Sequence, residues 1–292
     1  MRALDYNTIS PSARGLLLTK AITTIPFATE AAALLWDADQ LKRKIREKLS
    51  KESFIWLLHF ENRYRTIDSL LLPLETRNVL EIASGFSFRG LQLCIQDDIT
   101  YFDTDLPDPI TIKQQVVDKL KEQHQLETKG TYRLMPLNAL DTAAFNAVID
   151  QFPPGPIAIV NEGLLMYLDE TEKRQLCANI HAALTKRGGC WITGDIYLKK
   201  GDREHAHINP AAAEFLAMHQ VEEKKFDSYE AAEAFFIDYG FTIAAKEVVA
   251  YDQLSALRFI EHRNIPAEIV KSWFTTRETW RLTVDRLTRK EG

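Results

Sequence analysis

The stretch Val79-Leu-Glu-Ile-Ala-Ser-Gly85 decides the fold of this chain. It is typical of a short hydrophobic strand that enters a turn of small residues, and a helix is predicted to follow near Arg89-Gly90. Gly85 lets the backbone pass close beneath a ligand, and the helix N-terminus offers free N–H groups to an anionic part of it. The stretch lacks the full Gly-x-Gly-x-x-Gly spacing, so by itself it does not identify the ligand.

Four further short apolar runs follow, with helical stretches between them, at residues 100–103, 132–137, 157–160 and 190–193. This alternation predicts βαβ units and a parallel sheet that is buried on both faces. We expect residues 241–249 and 254–260 to supply the last two strands. A C-terminal helix is expected to carry Trp273, Phe274 and Trp280.

The remaining segments are predicted to cover this sheet. Residues 1–70 have a helical pattern, and we expect them to form an N-terminal helical cap. Residues 71–292 would then be the domain that carries the sheet. Residues 199–236 are charged and then alanine-rich, and we interpret them as an insertion after the fifth strand that covers the substrate.

Composition narrows the classes of function. The 292 residues include 36 Lys and Arg against 41 Asp and Glu, a net charge of −5, which argues against a protein whose main partner is nucleic acid. No apolar run reaches the roughly 18 residues of a membrane helix, so no membrane partner is expected. The three cysteines are far apart, which predicts neither a disulfide framework nor a zinc site and favours the cytoplasm.

Acidic residues follow two of the predicted strands. Asp105 lies 20 residues after Gly85, the spacing of a carboxylate that accepts hydrogen bonds from a ribose diol, and Asp103 competes for that role. Glu162 follows the fourth strand, beside an apolar run that would leave a carboxylate without a partner. These residues predict a ligand that contains a nucleoside, but they do not choose between a nicotinamide cofactor and S-adenosylmethionine.

Three motifs resemble those of the leucine carboxyl methyltransferase family, which includes polyketide-synthesis O-methyltransferases. They are Val79-Leu-Glu-Ile-Ala-Ser-Gly85, Tyr101-Phe-Asp-Thr-Asp-Leu-Pro107 and Glu162-Gly-Leu-Leu-Met-Tyr-Leu168, and Arg63-Tyr-Arg-Thr-Ile-Asp68 is similar to the family's arginine-bearing helix. The resemblance implies an α/β, Rossmann-like class I methyltransferase with a mostly parallel seven-stranded sheet. Its last strand would be antiparallel, with helices on both faces and an added helical cap.

The resemblance also implies a site for S-adenosylmethionine. Arg63, assisted by Arg14, would hold the methionine carboxylate, Gly85 would pass beneath the methionine moiety, Asp105 would hold the ribose, and Glu162 would lie near the amino group. Tyr167 would face the substrate and is the candidate catalytic residue. The full set of expected cofactor-binding residues is Arg14, Arg63, Glu81, Ala83, Gly85, Asp105, Leu106, Asn138, Ala139 and Glu162.

One motif departs from the family pattern. Where the family often has Asp-Leu-Arg-Asp, this chain has Asn138-Ala-Leu-Asp141. Asn138 can still bind adenine through its amide, but Leu140 cannot bind a substrate carboxylate, which argues against a peptide C-terminal leucine as the acceptor. We therefore expect O-methylation of a carboxylate or hydroxyl group of a small molecule, by in-line displacement, with no metal site.

Three other interpretations remain. An NAD-dependent oxidoreductase would share the glycine turn and the ribose acid, but no tyrosine has a lysine four residues later. A nucleic-acid base methyltransferase would place Asn/Asp-Pro-Pro-Tyr/Phe after the fourth strand, where this chain has Asn161-Glu162-Gly163. A protein that binds S-adenosylmethionine without catalysis is the third alternative.

Overall fold

The computed structural model describes residues 10–48, 51–199, 210–259, 266–272 and 274–284. The helices of this part of the chain are α1 (Ser10–Lys20), α2 (Ala28–Leu35), α3 (Ala38–Lys48), α4 (Lys51–Leu71), α5 (Arg89–Gln96), α6 (Pro107–His124), α7 (Thr142–Ile149), α8 (Glu170–Arg187), α9 (Pro210–Met218), α10 (Tyr229–Asp238) and α11 (Ala267–Ser272). The strands are β1 (Asn78–Ile82), β2 (Thr100–Asp105), β3 (Thr131–Pro136), β4 (Ile157–Asn161), β5 (Gly189–Tyr197), β6 (Phe241–Glu247) and β7 (Arg277–Val284).

The strands form one seven-stranded sheet in the order β3-β2-β1-β4-β5-β7-β6. Strands β1 to β5 pair in parallel, and β7 pairs antiparallel with both β5 and β6. The predicted fold class is therefore confirmed. Strand β1 lies between β2 and β4, so the strand order reverses at β1: β2 and β3 lie on one side of it, and β4 lies on the other. Ligands bind outside the carboxyl ends of the strands at such a reversal.

Helices cover both faces of the sheet, as the alternation of side chains on β1 requires. Leu80 and Ile82 face a core built with α7, α8 and α10, whereas Val79 faces a second core built with α4 and α5. Helix α8 begins at a capping box, in which the Asp169 and Glu172 side chains accept hydrogen bonds from each other's backbone N–H groups. None of the described helices is long and apolar enough to cross a membrane.

The prediction for the C-terminal strands was partly wrong. Residues 254–259 do not form a strand, because the N–H groups of Ser255 and Ala256 donate to the carboxylate of Glu61 on α4 instead of to a strand ladder. Residue 260 lies outside the described part of the chain. The last strand is β7, which contains Trp280, so Trp280 is not helical as predicted. Trp280 is fully buried and pairs with Thr193 and Lys246 of the neighbouring strands. Trp273, assigned to the same helix, lies outside the described residues.

Candidate active site

Glu162 lies at the centre of a buried group of charges, immediately after β4. Its side chain is 4% exposed, and Oε1 lies 2.8 Å from Lys20 Nζ and 3.1 Å from Arg63 Nη2. Arg89 Nη2 lies 3.6 Å from Oε2. Burial raises the pKa of Glu162, but the nearby cations, Lys20 first and then Arg63, lower it to about 2. Glu162 therefore stays ionised at any ordinary pH.

One oxygen of this carboxylate is unsatisfied. Glu162 Oε2 is buried and accepts no hydrogen bond from the described part of the chain, since Arg89 at 3.6 Å is too distant. Buried acceptors without a donor are rare in folded proteins and call for an explanation. This arrangement suits the zwitterionic end of an α-amino acid. Its ammonium group would donate to Oε2, which lacks a donor, and its carboxylate would bind Lys20 and Arg63, which now share the single carboxylate of Glu162.

Arg63 reaches Glu162 from α4 because two glycines leave room for it. A Cβ atom at Gly163 would lie 3.3 Å from the guanidinium nitrogens, and one at Gly194 would lie 2.9 Å from Arg63 Cγ. Arg63 Nη1 also donates to the hydroxyl of Tyr197 at 2.8 Å. The guanidinium is therefore fixed between the ends of β4 and β5.

Asp195 of β5 holds the backbone that follows Glu162. Its carboxylate accepts hydrogen bonds from the N–H groups of Gly163 (2.6 Å), Leu164 (2.7 Å) and Leu165 (3.1 Å), and from Asn161 Nδ2 (2.6 Å). Burial raises the pKa of Asp195, against the lowering effect of Arg63 and of the three backbone donors. Sequence reasoning missed this residue, because no local pattern shows that an acid on one strand binds the loop after its neighbour.

The glycine turn and Asp105 are in direct contact. Ala83 and Gly85 have positive φ angles of 51° and 50°, and the Gly85 N–H donates to Asp105 Oδ2 at 2.7 Å. The Leu106 N–H donates to Asp105 Oδ1 at 2.7 Å. Burial raises the pKa of Asp105 against these two donors. Each oxygen keeps a lone pair, so the carboxylate can still accept two ribose hydroxyls.

Asp103, the competing candidate for the ribose, has different partners. It is fully buried and binds Lys113 Nζ and the hydroxyl of Tyr132, each at 2.7 Å. Lys113 also donates to Ser84 Oγ at 3.0 Å, within the glycine turn. Asp103 therefore lies beneath the turn as part of its support, and Asp105 is the acid at the carboxyl edge of β2.

Glu81 also lies beneath the expected site instead of lining it. It is fully buried, and its carboxylate binds Arg89 Nη1 and the hydroxyl of Tyr101, each at 2.6 Å. Arg89 Nε in turn binds Asp68 at 2.7 Å. Glu81 therefore positions Arg89 near Glu162. This differs from the direct contact with the cofactor that we expected for Glu81.

The structure brings Lys20 to the site in place of Arg14. Arg14 is exposed on α1, whereas Lys20, six residues later on the same helix, is buried against Glu162. Residues six apart on an α-helix point to different faces. The structure therefore places Lys20, and not Arg14, beside Glu162. Sequence reasoning missed Lys20, although it lies on the same helix as Arg14.

The residues expected near adenine lie at the same edge of the sheet. Asn138 is exposed just after β3, and its Oδ1 accepts from the Leu140 N–H at 3.1 Å. The Ala139 carbonyl accepts from Asn179 Nδ2 at 2.9 Å. Asn138 keeps its amide NH₂ for a ligand, and its contact with adenine stays a prediction.

Tyr167 ends a 3-10 turn, Leu165–Tyr167, that follows the Glu162 motif. Its ring contacts those of Phe215 and His219 edge-on, with centroids 6.3 Å and 6.1 Å apart. His219 is buried, its Nε2 has no hydrogen-bond partner, and burial lowers its pKa. Sequence reasoning missed His219, because nothing in the sequence places α9 against this turn.

Two comparisons with known proteins bear on these findings. The profile of the leucine carboxyl methyltransferase family matches residues 25–181, which is more than half of the chain. This match confirms the resemblance, and with it S-adenosylmethionine as the cofactor. No curated protein matches the chain.

Among solved structures, a DUF574 family protein from Streptomyces avermitilis superposes with a TM-score of 0.57 at 12% identity, over 94% of this chain and 97% of that one. This likeness supports the fold. An O-methyltransferase family protein from Burkholderia thailandensis has a TM-score of 0.46 at 14% identity, over 87% of this chain. The match covers 62% of that protein, so this chain spans less than two thirds of its length.

Proposed function

This chain belongs to the leucine carboxyl methyltransferase family, and on that premise we propose that it is an O-methyltransferase that methylates a carboxylate of a small molecule. The observation that carries the proposal is the buried Glu162, whose unsatisfied Oε2 lies beside Lys20 and Arg63. This arrangement fits the amino-acid end of S-adenosylmethionine and leaves the Leu165–Tyr167 turn as the side from which an acceptor approaches.

The described residues fit the cofactor along its length. Lys20 and Arg63 would hold the methionine carboxylate, Glu162 the amino group, Asp105 the ribose and Asn138 the adenine. The cofactor supplies a methyl group on a positively charged sulfur. Because these side chains are anchored by hydrogen bonds to the protein, they bind and orient without further ordering, and orientation is the main requirement of an in-line transfer.

A carboxylate acceptor is the simplest choice for this site. It arrives ionised and needs no general base. Tyr167 follows Glu162 on the same loop and would orient the acceptor oxygen. Leu140 stands where the family has an arginine for a substrate carboxylate, so an acceptor must be held by other residues of this chain.

A hydroxyl acceptor is the second candidate, and His219 is the observation that favours it. An alcohol or phenol needs a base, and the buried His219 Nε2 lies without a partner beside Tyr167. Burial lowers the pKa of His219, which keeps the imidazole neutral and able to accept a proton. If the acceptor is a hydroxyl group, the His219→Gln variant should lose its methyl-transfer activity. If the acceptor is a carboxylate, the variant should keep that activity.

We also propose the division into a helical cap, residues 1–70, and a methyltransferase domain, residues 71–292. We place the protein in the cytoplasm, because its three cysteines are buried free thiols, which are typical of a reducing compartment.

A methyl-acceptor screen tests the proposal. The purified protein is incubated with S-adenosylmethionine and with aliphatic acids, aromatic acids or phenols, and methylated products are detected by mass spectrometry. Products that mild base hydrolyses are esters, and we expect these from acids. Transfer to amines or thiols alone would contradict O-methylation, and binding of the cofactor without transfer to any acceptor would favour a non-catalytic protein.

A further inference from the structure

A second cationic cluster lies on the acceptor side of the site. It surrounds a narrow pocket between the Leu165–Tyr167 turn, the end of β5 and the segment 224–226. The Phe226 N–H donates to the Tyr197 carbonyl at 2.9 Å, which joins this segment to β5. Lys173 of α8 and Lys224 both line the pocket. The pocket is therefore built from three elements that are fixed to one another.

Lys173 is a buried cation that has no carboxylate partner among the residues that the structure describes. Its side chain is 7% exposed, and its Nζ donates to the Lys224 carbonyl and lies 4.9 Å from the centroid of the Phe226 ring. Glu170 on the same helix pairs with Arg174 instead. Burial first, and then the charges of Lys199 and Lys224, lower the pKa of Lys173 to about 8. Buried charges are ordinarily paired, so this ammonium group suits an anion.

Lys224 adds a second ammonium group to the same wall. It is partly buried, and its Nζ donates to the Tyr167 carbonyl at 2.7 Å. Burial lowers the pKa of Lys224, and Glu172 and Asp169 are the carboxylates that most oppose this effect. Their side chains accept hydrogen bonds from each other's backbone N–H groups in the capping box of α8. Two cations therefore meet beside the turn that carries Tyr167.

The carboxylate within this pocket does not neutralise the lysines. Asp195 is held by three backbone N–H groups and by Asn161, as described above. Tyr197, which also lines the pocket, binds Arg63 through its hydroxyl at 2.8 Å. Tyr197 therefore links the pocket to Arg63, which pairs with Glu162.

We propose that Lys173 and Lys224 form a subsite for a carboxylate of the methyl acceptor, a group additional to the oxygen that receives the methyl. This inference rests on the proposed function and narrows its substrate class to dicarboxylic and hydroxycarboxylic acids. The long lysine side chains move apart to admit the anion, and the anion supplies the partner that the buried Lys173 lacks. The subsite also replaces the arginine that is missing at Leu140.

Direct binding of a defined probe tests the subsite without methyl transfer. Glutarate and its uncharged analogue glutaramide are titrated calorimetrically into the full chain saturated with S-adenosylhomocysteine. We expect glutarate to bind at least about tenfold more tightly than glutaramide, and Lys173→Met or Lys224→Met to remove this preference. Lys186→Met is the matched control, because Lys186 is exposed on the same helix and pairs with Asp150.

The pH dependence provides a readout that a purely structural lysine would not give. Because the pKa of Lys173 is lowered to about 8, glutarate affinity should fall between pH 7 and 9 as the ammonium loses its proton, and Lys173→Met should lack this fall. Lys173→Arg, which keeps the charge, should retain glutarate binding at pH 9. If Lys173→Met does not fold, the partly exposed Lys224→Met decides the outcome.

Unchanged glutarate binding in Lys224→Met, or equal affinities for glutarate and glutaramide in the wild type, would overturn the subsite. Failure of the proposed function gives a different result: lysine-dependent glutarate binding with no methylation of any acid. The same wild-type and variant proteins therefore distinguish failure of the subsite from failure of the proposed function.

Discussion

Replacement of Asp195 by asparagine should destabilise the protein and weaken its cofactor site together. The Asp195 carboxylate accepts four hydrogen bonds, three from the backbone of the loop after Glu162 and one from Asn161. An amide oxygen accepts about two. At least two buried donors would therefore lose their acceptor, at about 1–3 kcal/mol each, which gives a loss of about 2–6 kcal/mol in the free energy of unfolding.

Urea unfolding monitored by tryptophan fluorescence measures this loss. Trp191 is a suitable probe because it is fully buried and its Nε1 donates a hydrogen bond to Asn161 Oδ1 at 2.7 Å. Calorimetric titration with S-adenosylhomocysteine measures the effect on the site. We expect a lower affinity, since the displaced loop carries Glu162. Asp150→Asn is the control: Asp150 is exposed and has a surface pair with Lys186, which is worth about 0–1 kcal/mol. If Asp195→Asn unfolds like Asp150→Asn and binds like the wild type, the assignment of Asp195 as the support of this loop is wrong.

Three further predictions concern single positions. Arg63→Ala should weaken S-adenosylhomocysteine binding by about 1.5–3 kcal/mol in calorimetry, the size of a charged hydrogen bond. Arg14→Ala, at an exposed position, should leave the affinity unchanged. Equal affinities of Arg63→Ala and the wild type would remove Arg63 from the site. Gly85→Ala should lower the free energy of unfolding by about 1–2 kcal/mol, because a side chain at φ +50° is strained and its Cβ lies 3.4 Å from that of Ala13; urea unfolding that matches the wild type would contradict this. With Leu140 in place of an arginine, peptides that end in leucine should be poor methyl acceptors, and efficient turnover in a methyl-transfer assay would refute that.

The central fold was predictable because its signals are local. A buried parallel strand is a short apolar run, and the residue at its carboxyl end lies at the ligand edge whatever the rest of the chain does. For this reason the sequence placed Gly85, Asp105 and Glu162 correctly relative to the strands. The last strand was not predictable in this way, because β7 lies at the far end of a long segment and alternates polar with buried residues.

The parts of the site that the sequence did not predict depend on packing between distant segments. Lys20 reaches Glu162 only because of the face on which α1 packs, and a helix pattern alone does not separate that face from the one that carries Arg14. Lys173 meets Lys224, which lies 51 residues later in the chain, only because the segment 224–226 joins the end of β5. No local spacing encodes such contacts.

Binding of S-adenosylhomocysteine to Glu162→Gln tests the central claim, that the buried Glu162 with Lys20 and Arg63 is the amino-acid end of the cofactor site. Glutamine keeps the shape but removes the charge that an ammonium group needs, and the wild-type Glu162 is ionised throughout the assay range because its pKa is about 2. Calorimetry should show a loss of about tenfold or more, the equivalent of a charged hydrogen bond. Glu170→Gln, at an exposed surface pair, should bind like the wild type. Equal affinities for the wild type and Glu162→Gln would contradict the account.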